Sequence, residues 1–333
     1  MKIFVYEFVT GGGMAEEVLP VSLTREADLM VRALLADLAT VPGVELLTSR
    51  DARLPVIPGV EMLVPRAGES FLSLYERGLD LADAAWPTAP ETGGALLQLV
   101  RSTVWRGRLL LGCRPDAVEL ASSKRATAEC LARAGIPVVR TLMSVSDITG
   151  QSGRWVIKPD DGAGCEDTIL VSDCTAARAA LATKATGRFI AQPWLDGDPL
   201  SLSLLCHEGE ARLLSVNRQR IEVAGGRVRL AALEVNALAD DAGRFLSLAR
   251  QIARAVPSLW GYVGVDLIDT ASGPVVLEIN PRLTTSYCGL GSALGINVGR
   301  LVLNLVQAGL PVASRDLAPG RSVALTMEAG SDG

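Results

Sequence analysis

Histidine is almost absent from this chain of 333 residues, which contains only His207. This residue follows an apolar run and precedes the turn Glu208-Gly209-Glu210, so a turn position is its simplest interpretation. Hydrolases of the Ser/His/Asp or Cys/His kind need a histidine as their general base. The scarcity of histidine therefore argues against both of these classes.

Cysteine pairs with the spacing of metal ligands are also missing. The six cysteines are scattered along the chain without a CxxC pair, at Cys113, Cys130, Cys165, Cys174, Cys206 and Cys288. Structural zinc sites and iron–sulfur clusters usually draw on such pairs. We therefore expect reduced thiols and neither kind of metal centre.

Basic blocks and long apolar runs are absent as well. The formal net charge is −5, so nothing favours nucleic acid or an anionic membrane surface as a partner. The apolar run from Met1 to Val9 is interrupted by Glu7, is too short to span a membrane and lacks the cleavage region of a signal peptide. We expect a cytoplasmic protein without a membrane partner.

The residues that are abundant are aliphatic. Hydrophobic residues make up 49% of the chain, and the length permits a large core divided among two or three domains. Strand and helix patterns alternate over the first hundred residues, which predicts a small parallel sheet. Ligands of such sheets bind beyond the carboxyl ends of the strands, so the loops 7–13 and 86–92 are candidates for a substrate site.

The first of these loops contains Gly11, Gly12 and Gly13. A dinucleotide-binding fingerprint would need a third spaced glycine where Glu16 stands, and an acid there would face the pyrophosphate. Two interpretations stay open: the glycines let the backbone approach a small substrate, or they only form a turn.

The pattern changes after residue 115. One helix is predicted from Asp116 to Gly135, and it contains Lys124. A strand from Trp155 to Lys158 then leads directly into the loop PDDGAGC. The N–H groups of such a loop can bind phosphate while Lys158 supplies positive charge, although glycine after a strand is more commonly only a turn.

The second half of the chain has the pattern of an antiparallel sheet. Strands are predicted at 189–195, 200–206, 211–216, 227–235 and 322–327, with helices at 175–184, 241–256 and 297–309. Residues 328–333 have the composition of a frayed tail.

A hairpin is predicted where two apolar runs, 262–268 and 275–279, flank Ser272-Gly273. It can bring Asp266 alongside Glu278 and Asn280, which share one strand face. Buried carboxylates repel each other unless a cation lies between them, and oxygen ligands suit Mg²⁺. Arg282 is placed to reach a phosphate held by that metal. A surface hairpin with solvated acids is the alternative.

In their order along the chain, these motifs resemble the ATP-grasp superfamily of carboxylate–amine ligases. The resemblance is carried by a lysine on a helix, a lysine before a glycine loop, the segment QPWL at 192–195 and the D…E-x-N-P-R hairpin, and it covers residues 122–327. It implies an α/β (α+β) fold of the ATP-grasp type. An N-terminal β/α substrate domain (1–114) would be followed by two α+β subdomains (115–188 and 189–333) that clasp ATP.

The resemblance also implies roles for individual residues. Asp266, Glu278 and Asn280 would hold Mg²⁺, with two ions implied and Mn²⁺ as an alternative. Arg282 and Lys158 would be catalytic, with Arg282 steadying the transferred phosphoryl group. The nucleotide site would contain Lys124, Lys158, Asp161, Gly162, Gly164, Gln192, Trp194, Leu195 and Asp198.

Two positions depart from the pattern of the superfamily. Gln192 stands where many members carry glutamate. Pro199 occupies the position of the acid that binds ribose, which leaves its neighbour Asp198 as the candidate. The ribose contact is therefore undecided by the sequence.

The implied reaction makes an acyl phosphate from a carboxylate and ATP, after which an amine displaces phosphate. Three segments, KIFVYEFVTGGG, LLLGCRPDAVELASSKRATAECLARAGIPVVRT and INPRLTTSYCGL, resemble the tyramine–glutamate ligases of methanofuran biosynthesis. The implied substrates are the γ-carboxylate of L-glutamate and the amine of tyramine, or of tyrosine if the pathway makes a methylofuran-type cofactor.

Several alternatives remain open at this point. The chain could act on another acid and amine, or it could be an ATP-binding sensor without turnover. A homodimer is a candidate assembly. Further substrate candidates are turn or strand residues that also have ordinary structural explanations: Gly11, Gly12, Gly13, Arg218, Arg220, Thr284, Thr285 and Ser286.

Overall fold

The structure of the protein is a computed structural model that describes residues 1–149, 153–162, 164–184, 187–310 and 320–326. The predicted tail at 328–333 lies outside these residues, as do Ala163 of the glycine loop and Met327.

The N-terminal region contains a parallel sheet of five strands in the order β3-β2-β1-β4-β5. The strands are β1 (Lys2–Glu7), β2 (Glu45–Ser49), β3 (Glu61–Leu63), β4 (Ala84–Thr88) and β5 (Leu109–Leu110). The helices of this region are α1 (Val21–Ala39), α2 (Phe71–Asp80) and α3 (Ala95–Trp105). The predicted parallel sheet is confirmed, while the short edge strand β3 was not predicted.

Helices cover both faces of this sheet. Phe4 and Tyr6 of β1 pack in one core with α2 and α3, whereas Ile3 and Val5 pack in another core with α1. Successive residues of a strand point to opposite faces, so one apolar strand serves both cores. The loops that follow β1 and β4 are therefore left at the carboxyl edge of the sheet.

The rest of the described chain forms a second sheet of nine strands and six further helices. In chain order these elements are α4 (Pro115–Ala121), α5 (Lys124–Arg133), β6 (Trp155–Pro159), β7 (Ile169–Val171), α6 (Cys174–Ala182), β8 (Phe189–Pro193), β9 (Asp198–His207), β10 (Glu210–Ala224), β11 (Arg227–Leu238), α7 (Arg244–Ala255), β12 (Gly261–Thr270), β13 (Gly273–Asn280), α8 (Tyr287–Leu294), α9 (Val298–Ala308) and β14 (Val323–Thr326).

All strand pairs in this sheet are antiparallel, in the order β13-β12-β9-β10-β11-β7-β6-β8, and β14 pairs with β11. Strands β6 to β8 and helix α6 share a small core of their own, with Trp155, Ile157 and Ala191 fully buried. β8 pairs with β6, so it lies with this unit. The domain limits at 114 and 188 stay predictions.

The helix predicted from Asp116 to Gly135 is two helices in the structure, and this part of the prediction was wrong. Ser123 adopts an extended backbone conformation and caps α5, accepting a hydrogen bond from the Ala126 N–H at 3.0 Å. Serine competes for backbone hydrogen bonds in this way and favours a helix start over a helix interior. The break places Lys124 in the first turn of α5.

Two elements were also longer or additional. β10 continues to Ala224, eight residues beyond the predicted end. Arg218, Gln219 and Arg220 are polar on both faces of the strand, so the sequence there lacks the apolar–polar alternation. Helix α8 was not predicted.

Within the described ranges, no single helix is both long and apolar enough to cross a membrane. The pair α8 and α9 meets the criterion of length and composition only when taken together, and a 93° bend separates the two helices.

The cap at Ser123 gives a first test of the fold. We expect Ser123→Ala to lower the free energy of unfolding by about 1–2 kcal/mol, because an N–H at the helix start loses its acceptor. Ser70, which caps α2 through the Ser73 N–H, is the matched control. Ser70→Ala should cost less, about 1 kcal/mol, since Ser123 also donates to Asp160 at 2.6 Å. Urea denaturation measures both values, and an unchanged Ser123→Ala would contradict the assigned cap.

Candidate active site

Two carboxylates face each other on the hairpin of β12 and β13. Asp266 and Glu278 are paired across the two strands, so their side chains lie on the same face. The Asn280 side chain donates from Nδ2 to Asp266 Oδ2 at 3.0 Å. From β10, Gln219 donates to Asp266 Oδ1 at 2.9 Å. The sequence analysis missed Gln219, whose strand had not been predicted that far.

Two lysines from other elements approach the same carboxylate. Lys124 Nζ, from the first turn of α5, lies 3.3 Å from Glu278 Oε2. Lys158 Nζ, from β6, lies 3.8 Å from the same oxygen. Lys124 also donates to the carbonyl of Gly162 in the glycine loop. The structure therefore brings five predicted site residues into one cleft: Lys124, Lys158, Asp266, Glu278 and Asn280.

The charges in this cleft shift one another's protonation. Burial raises the pKa of Asp266, and the neighbouring Glu278 raises it further. Burial also acts to raise the pKa of Glu278, but Lys124 and Lys158 outweigh it and hold that pKa below its ordinary value. Burial lowers the pKa of Lys158, with Glu278 opposing the change. Such opposed shifts are typical of functional sites.

The donor set fits a hard divalent cation. Asp266 and Glu278 offer carboxylate oxygens, and the Asn280 amide can present its oxygen by a half-turn of the side chain. Among the described residues, no cluster of three or more His, Cys, Asp or Glu could hold a metal. Mg²⁺ needs no such cluster at a nucleotide, where one or two carboxylates and the phosphates complete its coordination.

Hydrogen bonds to Asp160 and Asp161 hold the start of the glycine loop in place. Asp160 accepts hydrogen bonds from the Arg125 N–H at 2.9 Å and from the Ser123 hydroxyl at 2.6 Å. The Asp161 carboxylate accepts from the Gly93 N–H at 3.1 Å, in the loop after β4. Asp161, predicted to bind the nucleotide, thus joins the two loops. Gly164 has φ 64°, a conformation that favours glycine.

Arg282 forms a bidentate ion pair across the cleft. Its Nε and Nη2 donate to the two carboxylate oxygens of Glu91 at 2.9 and 3.1 Å, and Nη1 donates to the Leu283 carbonyl at 3.1 Å. The Glu91 side chain is buried and that of Arg282 is largely so, with 7% and 13% of their surfaces exposed. Burial would lower the pKa of Arg282, but Glu91 raises it above its usual value. The sequence analysis noted the loop of Glu91 without singling out the residue.

Comparison with known proteins now gives this arrangement a family. The sequence matches the ATP-grasp domain over residues 121–286 and the pre-ATP-grasp domain over residues 44–118. Together these matches cover most of the chain. The chain belongs to the ATP-grasp family. The resemblance inferred from the sequence and the ATP-grasp fold are thereby confirmed.

Individual proteins that resemble this chain have low sequence identity to it. The tyramine–L-glutamate ligase of Methanocaldococcus jannaschii is 28% identical over 208 residues, which are 62% of this chain and 58% of that protein. The matched part of the chain thus spans less than two thirds of the relative's length.

Two solved structures share the ATP-grasp fold. An ATP-grasp superfamily protein of Archaeoglobus fulgidus is 23% identical, with a TM-score of 0.75 over 98% of this chain and 92% of that one. The L-amino acid ligase of Bacillus licheniformis is 17% identical, with a TM-score of 0.67 over 97% and 78%.

The segment 192–195, predicted to be part of the nucleotide site, lies at the end of β8. Gln192 is buried, and its amide donates to the Thr141 hydroxyl at 2.9 Å. The Trp194 N–H donates to the Arg154 carbonyl at 2.9 Å, and its ring lies under the Arg154 guanidinium at 4.9 Å. Leu195 is half-buried, and Asp198 is exposed at the start of β9. The backbone N–H of Trp194 is thus already bonded, and the role of Trp194 in the nucleotide site stays a prediction.

The glycines after β1 form a tight buried turn. The Glu7 carboxylate accepts from the Val9 and Thr10 N–H groups and from the Thr10 hydroxyl, at 2.7 to 3.1 Å. A side chain at Gly11 would lie 2.5 Å from Ser49 Oγ, and one at Gly13 would meet Phe8 at 2.5 Å. These contacts favour the second interpretation, a turn.

The hydroxyls after the hairpin belong to a buried network. Thr284 and Ser286 each hydrogen-bond to the Tyr262 hydroxyl, at 2.8 and 3.0 Å. Thr285 donates to the Glu26 carboxylate of α1. The structural turn that the sequence left open therefore has direct support.

The two strand arginines project away from the carboxylates. Arg218 and Arg220 alternate with Gln219, which points to Asp266. Their side chains are 49% and 74% exposed and pair with Glu234 and Glu222. This geometry favours solvated strand arginines over a substrate site.

The buried Glu91–Arg282 pair gives a second test. Glu91→Leu and Arg282→Met should each cost about 3–5 kcal/mol of unfolding free energy, because each leaves one buried charge without its partner. The double variant should cost far less than the sum of the two. Urea denaturation of the four proteins completes the cycle, and additive losses would contradict a coupled pair.

Proposed function

We propose that the protein is an ATP-dependent, ADP-forming ligase that joins a carboxylate to an amine. The observation that carries this proposal is the convergence of Lys124 and Lys158 on Glu278, beside Asp266, in the cleft of an ATP-grasp fold. An ATP-grasp protein with these charges intact is suited to phosphoryl transfer, which depends on positioning and charge stabilisation.

The nucleotide would lie between the glycine loop and the hairpin. Lys124 and Lys158 would exchange Glu278 for the phosphates of ATP, and Asp161, Gly162 and Gly164 would border the phosphates. Gln192, Trp194 and Leu195 would lie against the adenine, with Asp198 as the candidate for the ribose.

The metal site would be formed by Asp266, Glu278 and Asn280. A bound Mg²⁺, or Mn²⁺, supplies charge neutralisation at the phosphates, and two ions fit the family's chemistry. Asp266 must lose its proton to bind the metal. A cation beside the carboxyl group favours this loss because it lowers the pKa of Asp266.

The reaction proceeds in two transfers. A substrate carboxylate oxygen attacks the γ-phosphorus of ATP, the bond to ADP breaks, and an acyl phosphate forms. Arg282 would steady the transferred phosphoryl group by charge-assisted hydrogen bonds. The amine nitrogen then attacks the acyl carbon, and phosphate leaves.

For the substrates we propose the γ-carboxylate of L-glutamate and the amine of tyramine or tyrosine, in biosynthesis of a methanofuran or methylofuran-type cofactor. The name of the Methanocaldococcus relative supports tyramine and L-glutamate, while the likeness to an L-amino acid ligase supports only the fold. The cytoplasmic location and the homodimer stay predictions.

The first measurement is the release of ADP with ATP, Mg²⁺ and L-glutamate, with tyramine, tyrosine and a panel of other amines. We expect ADP release and a γ-glutamyl amide of matching mass with tyramine or tyrosine. Turnover with only another acid and amine would overturn the substrate proposal. Nucleotide binding without turnover across the panel would identify an ATP-binding sensor.

The lysine before the glycine loop gives a third test. Lys158→Ala should lower kcat/KM for ADP release by roughly a hundredfold or more, because a buried cation is lost from the transferring phosphate. Lys184→Ala is the matched control, since Lys184 packs on the Phe189 ring outside the cleft. Equal activity of the two variants would contradict the role of Lys158.

Metal removal gives a fourth test. Excess EDTA should abolish ADP release, and added Mg²⁺ should restore it in the wild-type protein. Asp266→Asn should need a higher Mg²⁺ concentration for half-maximal rate, because the site loses a carboxylate ligand. Full ADP release in EDTA would exclude the metal site.

A further inference from the structure

One carboxylate of the cleft has no part in the reaction described so far. Glu91 lies in the loop after β4, at the carboxyl edge of the parallel sheet where small ligands bind. It shares a small pocket with Lys124, Glu278 and Asn280. Glu91 therefore reaches the phosphate and metal residues from the opposite domain.

The cations around this pocket would no longer all pair with its carboxylates once ATP is bound. Arg282 bonds Glu91 directly, and Glu26, whose carboxylate holds the Thr285 hydroxyl, also interacts with this guanidinium. If Lys124, Lys158 and Arg282 turn to the phosphates, Glu91 is left buried without a cation. A buried carboxylate in that state is costly, so a further positive group at this position is favoured.

Resting on the proposed ligase function, we propose that Glu91 binds the ammonium group of the acceptor amine and accepts a proton from it. The substrate class is a primary amine that is protonated in solution. The loop that contains Glu91 is fixed against the base of the glycine loop, because the Thr92 hydroxyl donates to the Asp161 carbonyl and the Gly93 N–H donates to the Asp161 carboxylate.

The proposed step balances in atoms and charge. One ammonium proton passes to a carboxylate oxygen of Glu91, and the freed electron pair of nitrogen forms the C–N bond to the acyl carbon. The C–O bond to phosphate breaks, and its electron pair leaves with the phosphate. The second nitrogen proton goes to the departing phosphate oxygen.

A competing explanation is that Glu91 only positions Arg282. The two explanations predict different effects of a Glu91 substitution on different amines. If Glu91 only positions Arg282, the rate falls equally with every acceptor. Hydroxylamine is already unprotonated at neutral pH and needs no base, whereas an alkylamine such as tyramine arrives as an ammonium ion.

The experiment compares Glu91→Gln with the wild-type enzyme, using tyramine and hydroxylamine as acceptors with ATP, Mg²⁺ and L-glutamate. We expect kcat/KM for tyramine to fall by about a hundredfold or more in Glu91→Gln, while hydroxamate formation stays close to the wild-type rate. Glu91→Asp should recover part of the tyramine activity. Glu76→Gln, which disturbs the Arg106 pair outside the cleft, is the matched control, and thermal melting verifies folding.

Each other outcome decides against the inference. An equal loss with both acceptors assigns Glu91 to the positioning of Arg282 or to the fold, and an unchanged tyramine rate removes Glu91 from the reaction. If the wild-type enzyme releases no ADP with either acceptor or with the wider panel, the proposed function fails, and this inference fails with it.

Discussion

The structure depends on two like charges that lie side by side on a partly buried hairpin. Asp266 and Glu278 are cross-strand partners, and a pair of buried carboxylates is unfavourable unless positive charge or hydrogen bonds compensate. The compensation comes from Asn280 on β13 itself and from three other elements, through Lys124, Lys158 and Gln219. The requirement of this pair therefore specifies how α5, β6 and β10 must sit around β12 and β13.

Contacts between residues close in the sequence could be predicted, whereas contacts between residues far apart in the sequence could not. The hairpin follows from two apolar runs around a turn, and its pairing is as expected. By contrast, the partner of Arg282 is Glu91, 191 residues away, and nothing local marks one of the chain's many glutamates for that contact. Ser123 is an intermediate case, because a serine within a helical pattern fits either a helix N-cap or a helix interior. Only the hydrogen bond that Ser123 accepts in the structure distinguishes the two.

The predicted substrate residues show the same limit. Glycine, threonine and arginine in turns and strand edges have both structural and functional uses, and only three-dimensional contacts separate them. Thr284 and Ser286 hydrogen-bond to Tyr262, and Thr10, just before the three glycines, donates to Glu7. A polar residue whose hydrogen bonds are satisfied inside the protein has less to offer a ligand.

The join between β7 and β11 has an energetic consequence for the whole cleft. The unit of β6 to β8 meets the larger sheet there through one strand pair, Arg227 and Ile169, and two flanking backbone hydrogen bonds, while its own core is separate. Local opening costs less free energy where few buried contacts cross a boundary. Hydrogen bonds to Asp160 and Asp161 also hold this unit to α5 and to the loop after β4. We therefore expect a ligand that contacts both walls of the cleft to raise the free energy needed to open it.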